Sequence, residues 1–232
     1  MYKVISLEHA VAQINDGASI LIGGFMANGT AHKLIDALME KNVKDLTLIC
    51  NDAGLPDKGI GKLIVNKQCK KLIASHIGLN KEAGIQMHDG TMTVELVPQG
   101  TLVEQIRAGG YGLGGILTRT GLGTLVETGK QKVTVDGVDY LLEKPIRADF
   151  ALIHGSVVDK NGNIVYKGST NNFNHVMAGA ADVTIVEAQS LVDVGAIDPN
   201  HVATPGVFVR YIVDGAQYNM KEHNENGVAL YG

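Results

Sequence analysis

Apolar runs of three to six residues recur along the chain, and most are followed by a turn and then a stretch with helical spacing. Ser6 is placed to cap a first helix running to about Asn15, before the Asp16-Gly17 turn and a strand from Ser19 to Ile22. Thr30 is placed to cap a second helix, where Leu34, Ile35 and Leu38 fall on one face. A strand from Asp45 to Cys50, a helix around 58–66 and a short buried strand ending at Ser75 come next. Strands alternating with helices predict an α/β fold: an open, mostly parallel sheet with helices on both faces.

The pattern then changes. An apolar strand of 92–97 meets Pro98, and Thr101 with Glu104 matches a capping box opening a helix to Arg107. Gln99 and Gly100 therefore fall between a strand's carboxyl end and a helix's amino end, the crevice where open α/β sheets take ligands. Asp136-Gly137 inside alternating residues predicts one β-hairpin insertion, and 160–166 a second. The segment 111–129 reads as a long glycine-punctuated loop; a helix near 173–181, a strand of 183–188 and a last strand in 207–213 follow. One domain of 1–214 is expected, with 215–232 as a flexible carboxyl-terminal tail.

Composition narrows the function classes. The 29 glycines cluster at the ends of apolar runs, which points to tight corners and not to a flexible tract. A net charge of -4 argues against a nucleic-acid partner; the run Lys58, Lys62, Lys67, Lys70 and Lys71 reads as a solvated helix face. The two cysteines, Cys50 and Cys69, form no metal or redox spacing, and no segment has the length and apolarity of a membrane span. Cytoplasmic residence, no membrane association and no disulfide framework are the expectations.

Gly23, Gly24 and Gly29 mark a strand-to-helix turn whose amides are placed to meet an anion or an oxyanion. The spacing is neither the dinucleotide fingerprint nor a P-loop, and a purely structural corner accounts for it equally well. Eight histidines show no ligand spacing, so no metal site is expected. His154, Ser156 and Asp159 make a triad only on paper. Glu95, Glu187 and Glu225 are the carboxylates with any claim to nucleophilicity, and sequence does not choose among them.

Read together, "ILIGGFMANGTAHKLIDAL", "NDAGLPDKGIGKLIVN", "VPQGTLVEQIRAGGYGLGG", "LTRTGLGT", "RADFALIHGSVVDKNGNIVYKGSTNNFN" and "TIVEAQSLVDVGAIDPNHVATPG" resemble the alpha subunit of the family I coenzyme A transferases, nearest the acetate- or butyrate-acetoacetate branch. The resemblance runs to about Asp214. It implies a CoA thioester as substrate without a permanently bound cofactor, a beta-subunit partner carrying the catalytic glutamate, and an α2β2 assembly. It also implies that Gln99 supplies an oxyanion-hole amide, that Gly23, Gly24, Phe25, Met26, Ala27, Asn28 and Gly29 contact CoA, and that Asn51 lies near the reacting centre.

Four departures from the family pattern stand out: Ala31 where a proline is usual, Arg119 within "TRTG", and Asn171 and His175 in "TNNFNH". The loss of an arginine at Asn171 removes a charge that Arg119 is a candidate to replace. The "ENG" of Glu225 to Gly227 echoes a beta-subunit motif, and chance explains it better. The alternatives are a succinyl-CoA:3-oxoacid CoA-transferase subunit, a sugar-phosphate isomerase on a shared architecture, and a non-catalytic module that binds CoA esters.

Overall fold

The computed structural model describes residues 3–218. Its strands are β1 (Ser19–Ile22), β2 (Leu46–Cys50), β3 (Cys69–Ala74), β4 (Thr93–Leu96), β5 (Ile116–Thr118), β6 (Gln131–Val135), β7 (Val138–Glu143), β8 (Ala148–Gly155), β9 (Val157–Asp159), β10 (Ile164–Val165), β11 (Ala181–Ala188), β12 (Leu191–Val192) and β13 (Tyr211–Asp214). The α-helices are α1 (Leu7–Ala12), α2 (His32–Lys41), α3 (Gly61–Val65), α4 (Lys81–His88), α5 (Gln99–Gly110) and α6 (Asn174–Met177).

Seven strands form the central sheet in the order β13-β11-β8-β1-β2-β3-β4. Every neighbouring pair in it is parallel. Alternation along each strand splits the core into two layers. Ile20, Ile22, Leu48, Leu72 and Leu152 face α1 to α4, packing on Ala10, Leu34, Ile35, Leu38, Leu63 and Ile64. Leu21, Ile49, Ile73, Ala151 and Ile153 face the other way, onto Leu102 and Ile106 of α5 and Val176 and Met177 of α6. Both faces are thus covered, as a parallel sheet requires, and each buried aliphatic side chain contributes roughly 1.5–3 kcal/mol.

Two small sheets are inserted, β5-β7-β6 and β10-β9-β12. In the first, the hairpin turn has φ of 51° at Asp136 and 77° at Gly137, the left-handed pair that a two-residue turn needs. Its strand β5 lies inside the segment read as a long loop. The sheet is fastened to α5 by Glu143, whose carboxylate takes Lys130 Nζ at 2.5 Å and Gln105 Nε2 at 3.1 Å.

Two predicted caps differ from the structure. Ser6 does accept the His9 N–H at 3.2 Å. Thr30 does not cap α2: Ala31 occupies that position and makes no side-chain cap bond. The predicted capping box is absent as well, because α5 begins at Gln99 directly after Pro98, which leaves Thr101 buried within the helix. Glu104 pairs instead with Arg107 one turn on. At the carboxyl end, residues 215–218 make a helical turn and the Tyr218 hydroxyl accepts the Leu7 N–H at 2.6 Å. Residues 219–232, Glu225 among them, lie outside the described residues.

Candidate active site

The carboxyl ends of the parallel strands converge on one edge of the domain, and the predicted site residues sit there on the turns that follow β1, β2 and β4. After β2 comes Asn51, only 1% exposed, and after β4 comes Gln99, exposed at the first turn of α5. Gln99 Nε2 donates to Asn51 Oδ1 at 2.7 Å. Ser75, which follows β3, donates its hydroxyl to the Asn51 carbonyl at 2.6 Å and lies 3.2 Å from Oδ1. Three adjacent strands therefore place one amide pair that runs from the core to the surface.

The glycine turn after β1 is held from both sides. On one side Asp52, buried, accepts the Met26 N–H at 2.9 Å and the Gly54 N–H at 2.8 Å. On the other, Asn172 Oδ1 accepts the Gly24 N–H at 3.1 Å, and Asn174 Nδ2 donates to the carbonyls of Gly29 and Thr170 at 2.7 and 2.8 Å. Asn174 Oδ1 also takes the His154 N–H at 2.9 Å, binding the turn to β8. A Cβ at Gly23 would stand 1.9 Å from Asn174 Oδ1, so glycine is needed there for space. Met26 and Ala27 are forced into the left-handed region, with φ of 49° and 68°. Such strain persists only where the surroundings over-determine it, as these clamps do.

These contacts change how the turn can act. The Gly23, Phe25 and Asn28 N–H groups donate to the carbonyls of Leu152, Asn28 and Phe25, so with Gly24 and Met26 much of its amide array is already satisfied within the chain. Phe25 and Met26 project outward instead, 45% and 46% exposed. Asp52, Asn172 and Asn174 hold the turn, and no spacing in the sequence marks any of the three as a holder. The only local hint was the density of asparagine in Thr170 to Asn174.

On the far side of the turn, a polar cleft of about 420 Å³ opens between α2 and the ends of β8 and β11, lined by His32, His154 and Glu187 among others. The Glu187 carboxylate accepts the Leu34 N–H at 3.0 Å and so supplies the helix cap that Thr30 does not. Burial pushes its carboxyl up to about 7, against the opposing pull of the Leu34 and Lys33 amides. Burial also draws His154 down to about 4, with His32 adding to the effect. Glu187 is therefore a structural cap, and it is not beside Gln99. Glu95 pairs with Lys71 at 2.9 Å. Ser156 Oγ takes the Lys167 N–H and contacts Thr170, while Asp159 holds the 161–163 turn, so no His154-Ser156-Asp159 triad forms.

The departures are placed as follows. Ala31 has φ of -77°, a value proline also adopts, so the start of α2 does not depend on the ring. Asn171 is exposed beside the glycine turn and Arg119 is exposed in the turn after β5; among the described residues no hydrogen bond joins them. His175 Nδ1 lies 3.4 Å from the Asn171 carbonyl. Among the described residues no group of three or more His, Cys, Asp or Glu could hold a metal ion, and no helix is long and apolar enough to cross a membrane.

Fold and crevice together define an open parallel α/β chain with a preformed amide pair at its strand ends. Residues 4–215 match the coenzyme A transferase family model. The chain is 54% identical over 211 residues to the acetoacetyl-CoA:acetate/butyrate CoA transferase alpha subunit of Clostridium acetobutylicum, covering 91% of this chain and 97% of that one. It is 53% identical to the acetate CoA-transferase subunit alpha of Escherichia coli K12, covering 91% and 96%. An acyl-CoA transferase from E. coli O157:H7, solved as a thioester complex with CoA, superposes with a TM-score of 0.80 at 24% identity; the match covers 91% of this chain and 47% of that longer one. The chain belongs to the coenzyme A transferase family, as a subunit of the alpha kind.

Proposed function

We propose that this chain is the oxyanion-stabilising half of a CoA-transferase that exchanges CoA between a short-chain acyl-CoA and a carboxylate such as acetoacetate, acetate or butyrate. A glutamate of a beta subunit attacks the acyl-CoA carbonyl, and the CoA thiolate leaves an acyl-glutamate anhydride behind. The thiolate then attacks the glutamyl carbonyl and expels the first carboxylate, giving a glutamyl-CoA thioester. The incoming carboxylate reverses both steps and collects the CoA. Each attack builds negative charge on a carbonyl oxygen, and a preplaced donor there lowers the barrier.

One observation carries this reading: Gln99 holds an amide at the crevice, anchored at 2.7 Å on buried Asn51. Among the described residues the carboxylates with a claim to the attack are committed elsewhere, Glu95 to Lys71 and Glu187 to Leu34, while Asp52 clamps the glycine turn; Glu225 lies outside them. In line with the likeness to alpha subunits, the nucleophile is assigned to a second chain, in an α2β2 assembly, with the turn of Gly23 to Gly29 against CoA or the partner's loop. The test is reconstitution. The isolated chain should exchange no CoA, the mixture with its beta subunit should do so, and mass spectrometry should find glutamyl-CoA on the partner. Exchange by this chain alone, or a thioester on it, overturns the proposal.

A further inference from the structure

We infer that Asp52 is a positioning residue that sets the polarity of the Asn51–Gln99 amide pair, obliging Gln99 to turn its N–H groups, and not its carbonyl oxygen, towards the reacting centre. The inference rests on the reading of Gln99 as an oxyanion donor. It goes beyond that reading by naming what makes the side chain a donor.

A glutamine amide has a donor end and an acceptor end of nearly equal size, and only its partners decide which way it lies. An oxyanion site works with one end and is spoiled by the other. The chain of contacts here leaves no choice. Asp52 Oδ1 accepts from the Gly54 N–H at 2.8 Å and Oδ2 from the Met26 N–H at 2.9 Å. Main-chain N–H groups cannot accept, so the side chain beside them is used as an acceptor on both oxygens. Asn51 meets Oδ2 at 3.2 Å and must therefore present Nδ2 to it. Its Oδ1 is then directed at Gln99, which must answer with Nε2, as it does at 2.7 Å. One Nε2 proton is spent on Asn51 and the second remains for a substrate oxygen. The Ser75 hydroxyl donates to the Asn51 main-chain carbonyl at 2.6 Å, which fixes the backbone at the middle of the relay, and lies 3.2 Å from Oδ1.

Asparagine at position 52 would break this logic, because its own amide can turn to face Asn51 with either end. Asn51 could then flip, and Gln99 would be free to offer an oxygen to the reacting centre.

The experiment is a double-mutant cycle in the complex reconstituted with the beta subunit. Gln99→Ala is expected to lower kcat by roughly two to three orders of magnitude, the usual range for one lost oxyanion donor. Asp52→Asn is expected to lower kcat roughly ten- to a hundredfold and to have no further effect on kcat in the Gln99→Ala background, whatever its loosening of the glycine turn does to KM. Asn51→Ala cuts the relay in the middle while leaving the Asp52 clamp on Met26 and Gly54, and serves if Asp52→Asn does not fold; the same non-additivity is expected of it. If Gln99→Ala is costly and the other substitutions are neutral, or cost as much without Gln99 as with it, the relay is wrong and the donor stands. If Gln99→Ala is itself neutral, the donor reading fails and takes the relay with it.

Discussion

The carboxylate of Glu187, at the end of β11, accepts the backbone N–H of Leu34 in the first turn of α2 at 3.0 Å. A residue 153 positions away in sequence thus performs the capping that a local side chain would ordinarily supply. Because the cap is buried, it carries a titration with it. Its carboxyl sits at about 7 in the folded chain against an ordinary 4.5, so between those values the folded state holds a proton the unfolded state has lost. Stability from this group must then fall as pH rises from about 4.5 to about 7 and level off above, by roughly 3 kcal/mol at most. Lys33, Asp36 and His154 share the cleft and set the remaining field. In Glu187→Gln, whose Oε1 still accepts from Leu34, the slope should be lost. Urea titrations between pH 4.5 and 8 check this, and parallel curves for the two proteins would contradict it.

Gly23 needs its bareness for a neighbour's sake. A methyl placed there meets Asn174 Oδ1 at 1.9 Å, and Asn174 cannot retreat without surrendering His154, Gly29 and Thr170. Gly23→Ala should lower unfolding free energy by about 2–3 kcal/mol, the upper range for overpacking, as read by chemical denaturation. A loss under about 0.5 kcal/mol would mean that the asparagine clamp gives way easily.

Lys130 neutralises a carboxylate that is 3% exposed. Among the described residues, removing the ammonium in Lys130→Met leaves the Glu143 carboxylate the Gln105 amide as its side-chain partner, and should destabilise the chain by about 2–4 kcal/mol at pH 7. Replacing both residues, as in Lys130→Met with Glu143→Leu, should recover much of that loss. Thermal and urea unfolding of the two variants decide the matter; equal stability of both would refute the account.

Both thiols should be inert in the native protein. Burial pushes Cys69 up to about 12 and Cys50 well above its ordinary range, and both side chains are buried. A disulfide-exchange reagent at pH 8 should report no thiol under native conditions and both in denaturant. Rapid native labelling would show that β2 and β3 open far more readily than their packing implies.

The sheet was legible in the sequence because its strands are short apolar runs at regular intervals, and β1 matches its expected bounds from Ser19 to Ile22. What escaped was whatever depends on a distant partner. Thr30 looks like a cap, yet Glu187 reaches across from β11; Thr101 and Glu104 look like a capping box, yet Pro98 starts α5 earlier. The position of Gln99 at a strand-helix junction was readable, since it follows from local chain order. Its pairing with Asn51, 48 residues away, was not, and neither were the roles of Asp52, Asn172 and Asn174, because a clamp has no periodicity.

The glycine turn keeps most of its own amide hydrogens occupied and shows the outside world a phenyl ring and a thioether. A visitor docking on that tip would be gripped by dispersion and shape more than by hydrogen bonds, so that how closely the two surfaces fit sets how long it stays.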